Sequence, residues 1–417
     1  MKTTARMITV LSALALPAHG ATAPAAEMSA APVRLPYTAV VIADATFIRQ
    51  RPDPRAPDIG VVRAGAVVTV TGCVPDCASG NGWALLATNG ALRASALRPL
   101  SESDLPTVQP APEQLWYGRV DKDSRRIYRA PDIHARVLDR RPFPQEMAFV
   151  ADEALRARGW LERVEGGYVR ARQVEHLALA PFTGESQPVL PLVFLRRPAN
   201  AAPKEGSPGV RRLRRYDRLA LVRSEGAHVY TEAGTLPRHS VAVIAPRPRP
   251  AGIPSGAKWV HVNLWEQTLT AYEGDRPVYA TLISSGKRDF QTHPGLYQVV
   301  EKMTYSDMHG DDVEPYVVDR VPYVLYFNKN EALHGTYWHD HFGAPASHGC
   351  VNLSMSDARW LFEWAPPRLP AEWSSIDGGA PGVESLWVRV DGPRVRSARP
   401  ENEHRPRTGT KRLPPNH

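Results

Sequence analysis

Residues 333–353 read LHGTYWHDHFGAPASHGCVNL, and this stretch decides both the fold and the chemistry that we expect of the chain. It holds four histidines and Cys350, the last of three cysteines. Cys73 and Cys77 lie in a turn-rich loop and are candidates for a local disulfide in an oxidising compartment. Cys350 then has no partner, and an unpaired thiol in an exported protein is a candidate reactive group. The alternative is a buried, inert cysteine.

The histidines around Cys350 favour the reactive alternative. A thiol has a reference pKa of about 8.5, so a neighbouring imidazole has to take its proton before it can attack. His348 is two residues away, which places both side chains on one face of an extended segment. Gly349 lets the backbone turn, and the N–H groups of Gly349 and Cys350 could then face an oxyanion. His334 would arrive from the end of the preceding strand, near in space rather than in sequence.

The flanking residues predict strands before this stretch and one helix after it. Alternating or β-branched runs separated by turn residues indicate the strands, at 259–264, 268–272, 278–283, 296–300 and 323–327. Ser354 and Asp357 fit the start of a helix as a capping box. Its apolar stripe is Ala358, Leu361 and Phe362, and Pro366-Pro367 ends it.

The combined pattern of His334-Gly335, a spacer and Ser347-His-Gly-Cys-Val-Asn352 resembles the L,D-transpeptidase (YkuD-type) family. The resemblance covers residues 257–391 and includes the order of the strands, a Thr-His-Pro-Gly turn and the helix after the cysteine. The family usually has Thr-Pro-x-Gly, and here His293 shifts Pro294. The resemblance implies a β-rich catalytic domain without a cofactor or a metal.

The resemblance also assigns roles to individual residues. Cys350 would be the nucleophile and His334 its base, oriented by the carbonyl of Gly335. His348 and the Gly349 amide would line the oxyanion side, and Ser347 would make a local hydrogen bond. The substrate side would hold Asn352, Tyr337 and Trp338. The two aromatic residues are expected to act in packing or as a lid.

The implied reaction begins on a tetrapeptide stem of peptidoglycan. Cys350 would attack the bond after the L-centre of meso-diaminopimelate, release D-Ala and form a thioester. An amine of a second stem would then give a 3→3 cross-link, and a lipoprotein lysine or a D-amino acid could replace that amine. Water as acceptor would make the protein an L,D-carboxypeptidase. Carbapenem-type inhibitors are expected to acylate the same cysteine.

Two further classes of function compete with this interpretation. The chain could be a non-catalytic peptidoglycan-binding protein, although an inactive copy would be free to lose His334 or Cys350. The histidines could instead form a zinc hydrolase site, because histidine-rich clusters bind zinc. That site would combine four residues whose spacing does not match a regular ligand set: His334, His339, His341 and His348.

The residues before the catalytic region predict small β-rich units. Short strands and turns over 37–101 resemble bacterial Src-homology-3-like modules. A second copy is expected at 113–179, where Gly159-Trp160 repeats Gly82-Trp83. Residues 189–246 form either a degenerate third copy or a connecting arm. A Pro-rich linker at 247–256 then precedes the catalytic domain, so the expected fold is mainly β.

The two ends of the chain and its net charge indicate where the protein is located. A basic start, a short apolar run and small residues predict a signal peptide at 1–23, with export to the periplasm or cell envelope and no transmembrane segment after its removal. The polar tail at 392–417 is expected to be disordered. The net charge is +8 with 40 prolines. Its arginines are scattered rather than interleaved with aromatics, which argues against nucleic acid as a partner.

Overall fold

The computed structural model describes residues 34–77, 81–100, 110–120, 126–140, 145–203, 209–310, 315–380 and 382–393. The predicted signal peptide and nearly all of the predicted disordered tail lie outside the described residues. The described chain is mainly β, as the sequence predicts, and its strands form four successive units. No helix in the described part of the chain is long and apolar enough to cross a membrane.

The first unit is a curled antiparallel sheet around an apolar core. Its seven strands are β1 (Tyr37–Val41), β2 (Ala45–Arg49), β3 (Asp58–Arg63), β4 (Val67–Val74), β5 (Trp83–Leu86), β6 (Ala91–Arg93) and β7 (Leu97–Pro99). Ile48, Val62 and Val70 are among the side chains buried inside. Cys73 and Cys77 form a disulfide at the end of β4. The likeness to an Src-homology-3 barrel stays a prediction.

The second unit has two small sheets and a short helix. Its elements are β8 (Leu115–Val120), β9 (Arg126–Tyr128), β10 (Val137–Arg140), β11 (Gln145–Val150), α1 (Glu153–Ala157), β12 (Trp160–Glu162), β13 (Tyr168–Arg170) and β14 (Val174–His176). The helix was not predicted from the sequence. It begins where the Asp152 carboxylate accepts the backbone N–H of Leu155 at 2.9 Å, the usual way to satisfy a free amide at a helix start.

The third unit is folded around its own core, so this region is more than a connecting arm. Its strands are β15 (Glu185–Ser186), β16 (Leu192–Leu195), β17 (Ala199–Ala201), β18 (Arg211–Leu213), β19 (Arg218–Glu225), β20 (His228–Thr231), β21 (Gly234–Pro237) and β22 (Val241–Ile244). Val193, Leu195, Val229 and Leu236 are buried between them. Its expected descent from a third module copy stays a prediction.

The fourth unit contains the predicted catalytic region. Its elements are β23 (Lys258–Asn263), β24 (Thr268–Glu273), β25 (Arg276–Leu282), β26 (Gly295–Gln298), β27 (Glu301–His309), β28 (Val317–Asn328), β29 (Glu331–Gly335), β30 (Val351–Leu353), α2 (Met355–Trp364), β31 (Ser375–Asp377) and β32 (Trp387–Asp391). Each of the five predicted strands corresponds to one of these elements. Five others were not predicted: β27, β29, β30, β31 and β32.

The units are joined through their sheet edges. On one side, β3 of the first unit pairs with β31, so that Gly60 lies opposite Ile376. A side chain at Gly60 would lie 2.5 Å from the Trp373 ring, so glycine permits this close approach. On the other side, β11 of the second unit pairs in parallel with β28. One sheet of fifteen strands therefore runs through the first, second and fourth units.

Helix α2 is fixed at its N-terminus by buried polar contacts. The Ser354 hydroxyl accepts the backbone N–H of Asp357 at 3.2 Å, as the sequence predicts. In a full capping box the Asp357 carboxylate would accept the backbone N–H of Ser354, and here it does not. It accepts instead from the backbone N–H of Gly184 and the hydroxyl of Tyr279, both at 2.7 Å, and from Thr281. These contacts tie the segment after Cys350 to the start of the third unit.

The C-terminus of α2 is closed by a buried lysine. The Lys302 ammonium donates to three backbone carbonyls that the helix end leaves free, those of Phe362, Ala365 and Pro367, at 2.5 to 2.9 Å. Burial lowers the pKa of Lys302 to about 7. The last carbonyls of a helix lack hydrogen-bond donors within the helix. Lys302, which lies in β27, supplies the missing donor.

We expect Lys302→Met to lower the free energy of unfolding by about 1–3 kcal/mol, because the carbonyls would be buried without donors. Urea unfolding followed by circular dichroism measures the loss. Lys258→Met is the matched control, since Lys258 is half-buried and donates to one carbonyl of the same helix end, that of Trp364. Equal effects of the two variants would contradict this account.

Candidate active site

The two predicted reactive residues are brought together by one parallel strand pair. Strand β29 pairs with β30 so that Leu333 lies opposite Val351 and His334 opposite Asn352. Extended by one residue, this register aligns Cys350 with Ala332. Alternate side chains share a face, so Cys350 and His334 project to the same side, one diagonal step apart. Diagonal neighbours in a sheet lie about 7–8 Å apart at their α carbons.

The Cys350 thiol lies beside the first residues of β29. It donates to the backbone carbonyl of Asn330 at 3.5 Å. A thiol has one proton, so in this conformer it does not donate to the imidazole of His334. The side chain is partly exposed and packs in the same apolar cluster as Ala332, Trp338 and Met355.

This environment keeps the thiol protonated. Burial, helped by the nearby Glu331 carboxylate and opposed by the backbone N–H of Ala332, raises the pKa of the Cys350 thiol to about 12. The thiol is therefore neutral at neutral pH. Any reaction in which it acts as a nucleophile needs a base at the moment of attack rather than before it.

His334 has the geometry of such a base. Its side chain is buried, and Nδ1 lies 3.0 Å from the backbone carbonyl of Gly335. A carbonyl accepts only, so Nδ1 carries the proton and Nε2 keeps a lone pair. Burial lowers the pKa of His334 to about 4. The ring stacks on Trp338 at 5.8 Å and is neutral at neutral pH.

The turn that carries Cys350 is held by its own hydroxyls. Ser347 accepts the backbone N–H of Gly349 at 3.1 Å and donates to the carbonyl of Cys350 at 2.5 Å. Thr292 donates to the carbonyl of Gly349 at 2.7 Å. Gly349 has a φ of +122°, which other residues rarely adopt. The Gly349 amide is thus engaged, and its predicted oxyanion role would require it to change partner.

His348 sits between two aromatic rings. It meets Phe290 edge-on and lies against the tilted ring of Tyr316, both at 4.6 Å between ring centres. Tyr316 comes from the segment that leads into β28, which places that segment over the turn before Cys350. The expected contribution of His348 to the oxyanion side stays a prediction.

Asn352 is buried beside His334 and keeps one unused polar atom. Its side-chain amide meets Nε2 of His339 at 2.9 Å, and the backbone N–H of His341 donates to Nδ1 of His339. The neutral His339 ring therefore carries its proton on Nε2, which pairs with the amide oxygen of Asn352 once the oxygen and nitrogen of this amide are exchanged. As placed, Nδ2 of Asn352 faces His339, and Oδ1 has no hydrogen-bond partner among the described residues. In either assignment one polar atom of the amide is buried and unpaired.

Tyr337 lies in the packing between the fourth and second units. Its ring is buried and stacks on Tyr117 of the second unit at 4.1 Å, and its hydroxyl donates to the carbonyl of Asp319 at 2.6 Å. Trp338, by contrast, is only partly buried and covers the His334 ring. The guanidinium of Arg119 donates to its carbonyl at 3.4 Å, so the second unit forms one wall of the site.

The third unit supports the loop between His334 and Cys350 from the other side. Arg215 pairs with Asp340 at 3.3 Å, and the hydroxyl of Tyr216 donates to the Asp340 carbonyl. Phe342 stacks on Phe182 at 5.9 Å. Residues 336–349 are therefore fixed by two accessory units, neither of which supplies the predicted nucleophile or base.

Three ring nitrogens of the four histidines considered for zinc have protein partners. His334 uses Nδ1 for Gly335, and His339 uses both nitrogens for His341 and Asn352. In the part of the chain that the structure describes, no group of three or more His, Cys, Asp or Glu residues could hold a metal ion.

Two polar residues next to Cys350 were missed from the sequence. Glu331 is buried at the start of β29, and its Oε1 accepts from the Nδ1–H of His293 at 2.8 Å. In the sequence, His293 stands out only because it departs from the usual turn. That departure is the one sequence signal that could have indicated the pair of His293 and Glu331, because it places an ionisable group in a structural turn.

Comparison with known proteins supports the interpretation of the fourth unit. Residues 257–380 match the YkuD family model, described as the L,D-transpeptidase catalytic domain. A putative L,D-transpeptidase of Bacillus subtilis, YciB, is 29% identical over 119 residues, which cover 26% of this chain and 61% of that protein. Residues 257–380 therefore form a domain of the YkuD type.

The chain also matches solved structures over part of its length. An L,D-transpeptidase from Stackebrandtia nassauensis is 27% identical, with coverage of 36% of this chain and 60% of that chain and a TM-score of 0.26. The catalytic domain of the E. faecium enzyme is 24% identical, with coverage of 33% and 98% and a TM-score of 0.25. The chain spans about three fifths of the length of the first relative and the first structure that it matches.

The protonation states predict how Cys350 reacts with iodoacetamide. Only the thiolate is alkylated, and a pKa near 12 means that the thiolate fraction grows with pH throughout the neutral and mildly alkaline range. The alkylation rate should rise about tenfold per pH unit from pH 7 to pH 10, without a plateau. Mass spectrometry of Cys350 after timed quenching measures it.

His334→Asn is the control for this measurement. Because His334 is neutral in this pH range, the variant should show the same slope. A plateau between pH 6 and pH 8 that disappears in the variant would reveal a thiolate–imidazolium pair and contradict the neutral resting state.

Proposed function

We propose that this protein is a peptidoglycan L,D-transpeptidase in which Cys350 is the nucleophile and His334 the base. The observation that supports it most directly is the pairing of β29 with β30, which sets both side chains on one face within a domain of the YkuD type. The chain would act as an acyltransferase on peptide stems of the cell wall.

The first half of the reaction would begin with a rotation of the thiol. In the resting conformer it faces the Asn330 carbonyl, and a change in χ1 would turn it toward Nε2 of His334. The sulfur then attacks the carbonyl carbon after the L-centre of meso-diaminopimelate as its proton passes to Nε2. The imidazolium returns that proton to the nitrogen of D-Ala, which leaves, and a thioester remains on Cys350.

The second half would transfer the acyl group to an amine. Attack by an amine of a neighbouring stem forms a C–N bond, breaks the C–S bond and gives a 3→3 cross-link. A lipoprotein lysine or a D-amino acid could take the place of that amine, and water would give the carboxypeptidase reaction. Asn352 supports substrate binding in either half, because its unpaired polar atom is buried beside His334.

The location proposed for this activity is the periplasm or cell envelope, after removal of residues 1–23. The disulfide between Cys73 and Cys77 supports export, since such bonds persist in oxidising compartments. Peptidoglycan stems are the proposed partners, and carbapenem-type compounds the proposed inhibitors of Cys350.

Both half-reactions can be tested on a defined disaccharide-tetrapeptide donor. Cys350→Ala should abolish D-Ala release, because no other group can form the acyl-enzyme. His334→Asn should reduce the rate by about 10²–10⁴-fold, the range that a positioned base contributes. Mass spectrometry of the products identifies the bond broken and the acceptor used.

The matched control is His134→Asn, which changes an exposed histidine in the second unit. It should release D-Ala at the wild-type rate. Persistent D-Ala release by Cys350→Ala, or donor cleavage at another bond by the wild type, would refute the proposal.

A further inference from the structure

A second histidine–carboxylate pair lies at the turn that carries Cys350. Glu331 is buried, and its Oε1 accepts both the backbone N–H of His293 at 3.0 Å and the ring Nδ1–H at 2.8 Å. Its other oxygen accepts from the amide of Asn328 at 2.9 Å. Three donors thus fix the carboxylate, while about half of the His293 side chain remains exposed.

The pair lies close to Cys350 but on a different side from His334. Glu331 is flanked by Asn330, whose carbonyl accepts the thiol, and by Ala332. A side chain at Gly349 would lie 3.7 Å from Oε1 of Glu331. Because alternate residues of a strand point to opposite faces, Glu331 projects away from the face of His334. The Glu331 carboxylate nevertheless lies near enough to Cys350 to raise the pKa of its thiol, so the pair is a neighbour of the thiol as well as of the turn.

The hydrogen bonds fix the tautomer of His293. An ionised carboxylate accepts only, so Nδ1 carries the proton and the neutral ring keeps its lone pair on Nε2. Tyr297 also contacts this turn, where its hydroxyl donates to the carbonyls of His293 and Pro294 at 3.2 and 3.3 Å. A carboxylate that orients an imidazole through Nδ1 is the arrangement of a general base.

We propose that His293, oriented by Glu331, is the base that deprotonates the amine acceptor in the second half-reaction. This inference rests on the proposed function, since it requires a thioester on Cys350. A neutral acceptor amine forms a C–N bond to the thioester carbon, the C–S bond breaks, and one amine proton passes to Nε2 of His293. That proton leaves to solvent, and the released sulfur takes one proton from water.

The different exposure of His334 and His293 fits their different proposed roles. His334 is buried, which suits transfer of a proton from a thiol that is already inside the site. An acceptor stem arrives from solvent, and a half-exposed imidazole can meet it and exchange protons with water. The shifted turn of Thr292, His293 and Pro294 then has a chemical purpose in addition to its contact with Gly349.

The test separates the two halves of the reaction in the full-length exported chain. The initial burst of D-Ala from the defined donor reports acylation, and cross-linked product formed at varied acceptor concentration reports transfer. In His293→Asn, the transfer rate should fall by about 10²-fold or more while the burst rate is unchanged. Asn is chosen because its amide can still donate to Glu331.

Glu331→Gln provides a second variant with the same shape and no charge. It should slow transfer less than His293→Asn, since the imidazole remains. His134→Asn should alter neither half-reaction. Unfolding temperatures are measured for all variants, so that a loss of fold is recognised.

Three outcomes would overturn the inference. These are an equal fall of burst and transfer in His293→Asn, an unchanged transfer rate in that variant, and transfer lost in Glu331→Gln but retained in His293→Asn. If neither His293→Asn nor His134→Asn yields folded protein, the decision rests on Glu331→Gln. An unchanged transfer rate in that variant rejects the role of His293. Absence of any D-Ala burst in the wild type would instead reject the proposed function.

Discussion

The parallel pairing of β29 with β30 is the constraint on which the rest of the site depends. It joins two segments separated by the loop 336–350 and sets their register so that Cys350 and His334 share one face. Strand β29 is itself fixed by antiparallel pairing with β28. Helix α2 follows β30 directly and is held at its two ends by Asp357 and Lys302. The position of Cys350 is therefore determined by backbone hydrogen bonds rather than by its own side-chain contacts.

The loop between the two reactive residues explains why accessory units accompany this catalytic domain. Arg119 from the second unit holds the Trp338 carbonyl, and Arg215 from the third unit pairs with Asp340. Trp338 in turn covers the imidazole of His334. Closed loops of this length have considerable freedom when isolated. Contacts from both sides remove that freedom, so the accessory units shape the site even if they also bind the cell wall.

The burial that organises the site also sets its protonation states. Desolvation disfavours the charged form of each group, and it raises the pKa of Cys350 while it lowers that of His334. Both effects favour a neutral thiol and a neutral imidazole at neutral pH. A neutral thiol is also less open to oxidation than a thiolate.

The sequence by itself determined the local features of this protein. Alternation along the strands, the Ser354 cap, the tight turn at Gly349 and the local pairing of Cys73 with Cys77 each depend on residues a few positions apart. Their physical causes, side-chain period, capping and backbone freedom, are present in any short segment. The Ser-His-Gly-Cys pattern likewise pointed to a reactive thiol and named His334 as its distant partner.

Only the tertiary structure decided which side of the site each residue serves. Tyr337 lies two residues after Gly335, and its contact with Tyr117 of the second unit buries it. The pairing of His293 with Glu331 and the binding of Asp357 to Gly184 join residues 38 and 173 positions apart. Such contacts depend on how distant segments of the chain pack against each other, and no periodicity within either segment encodes them.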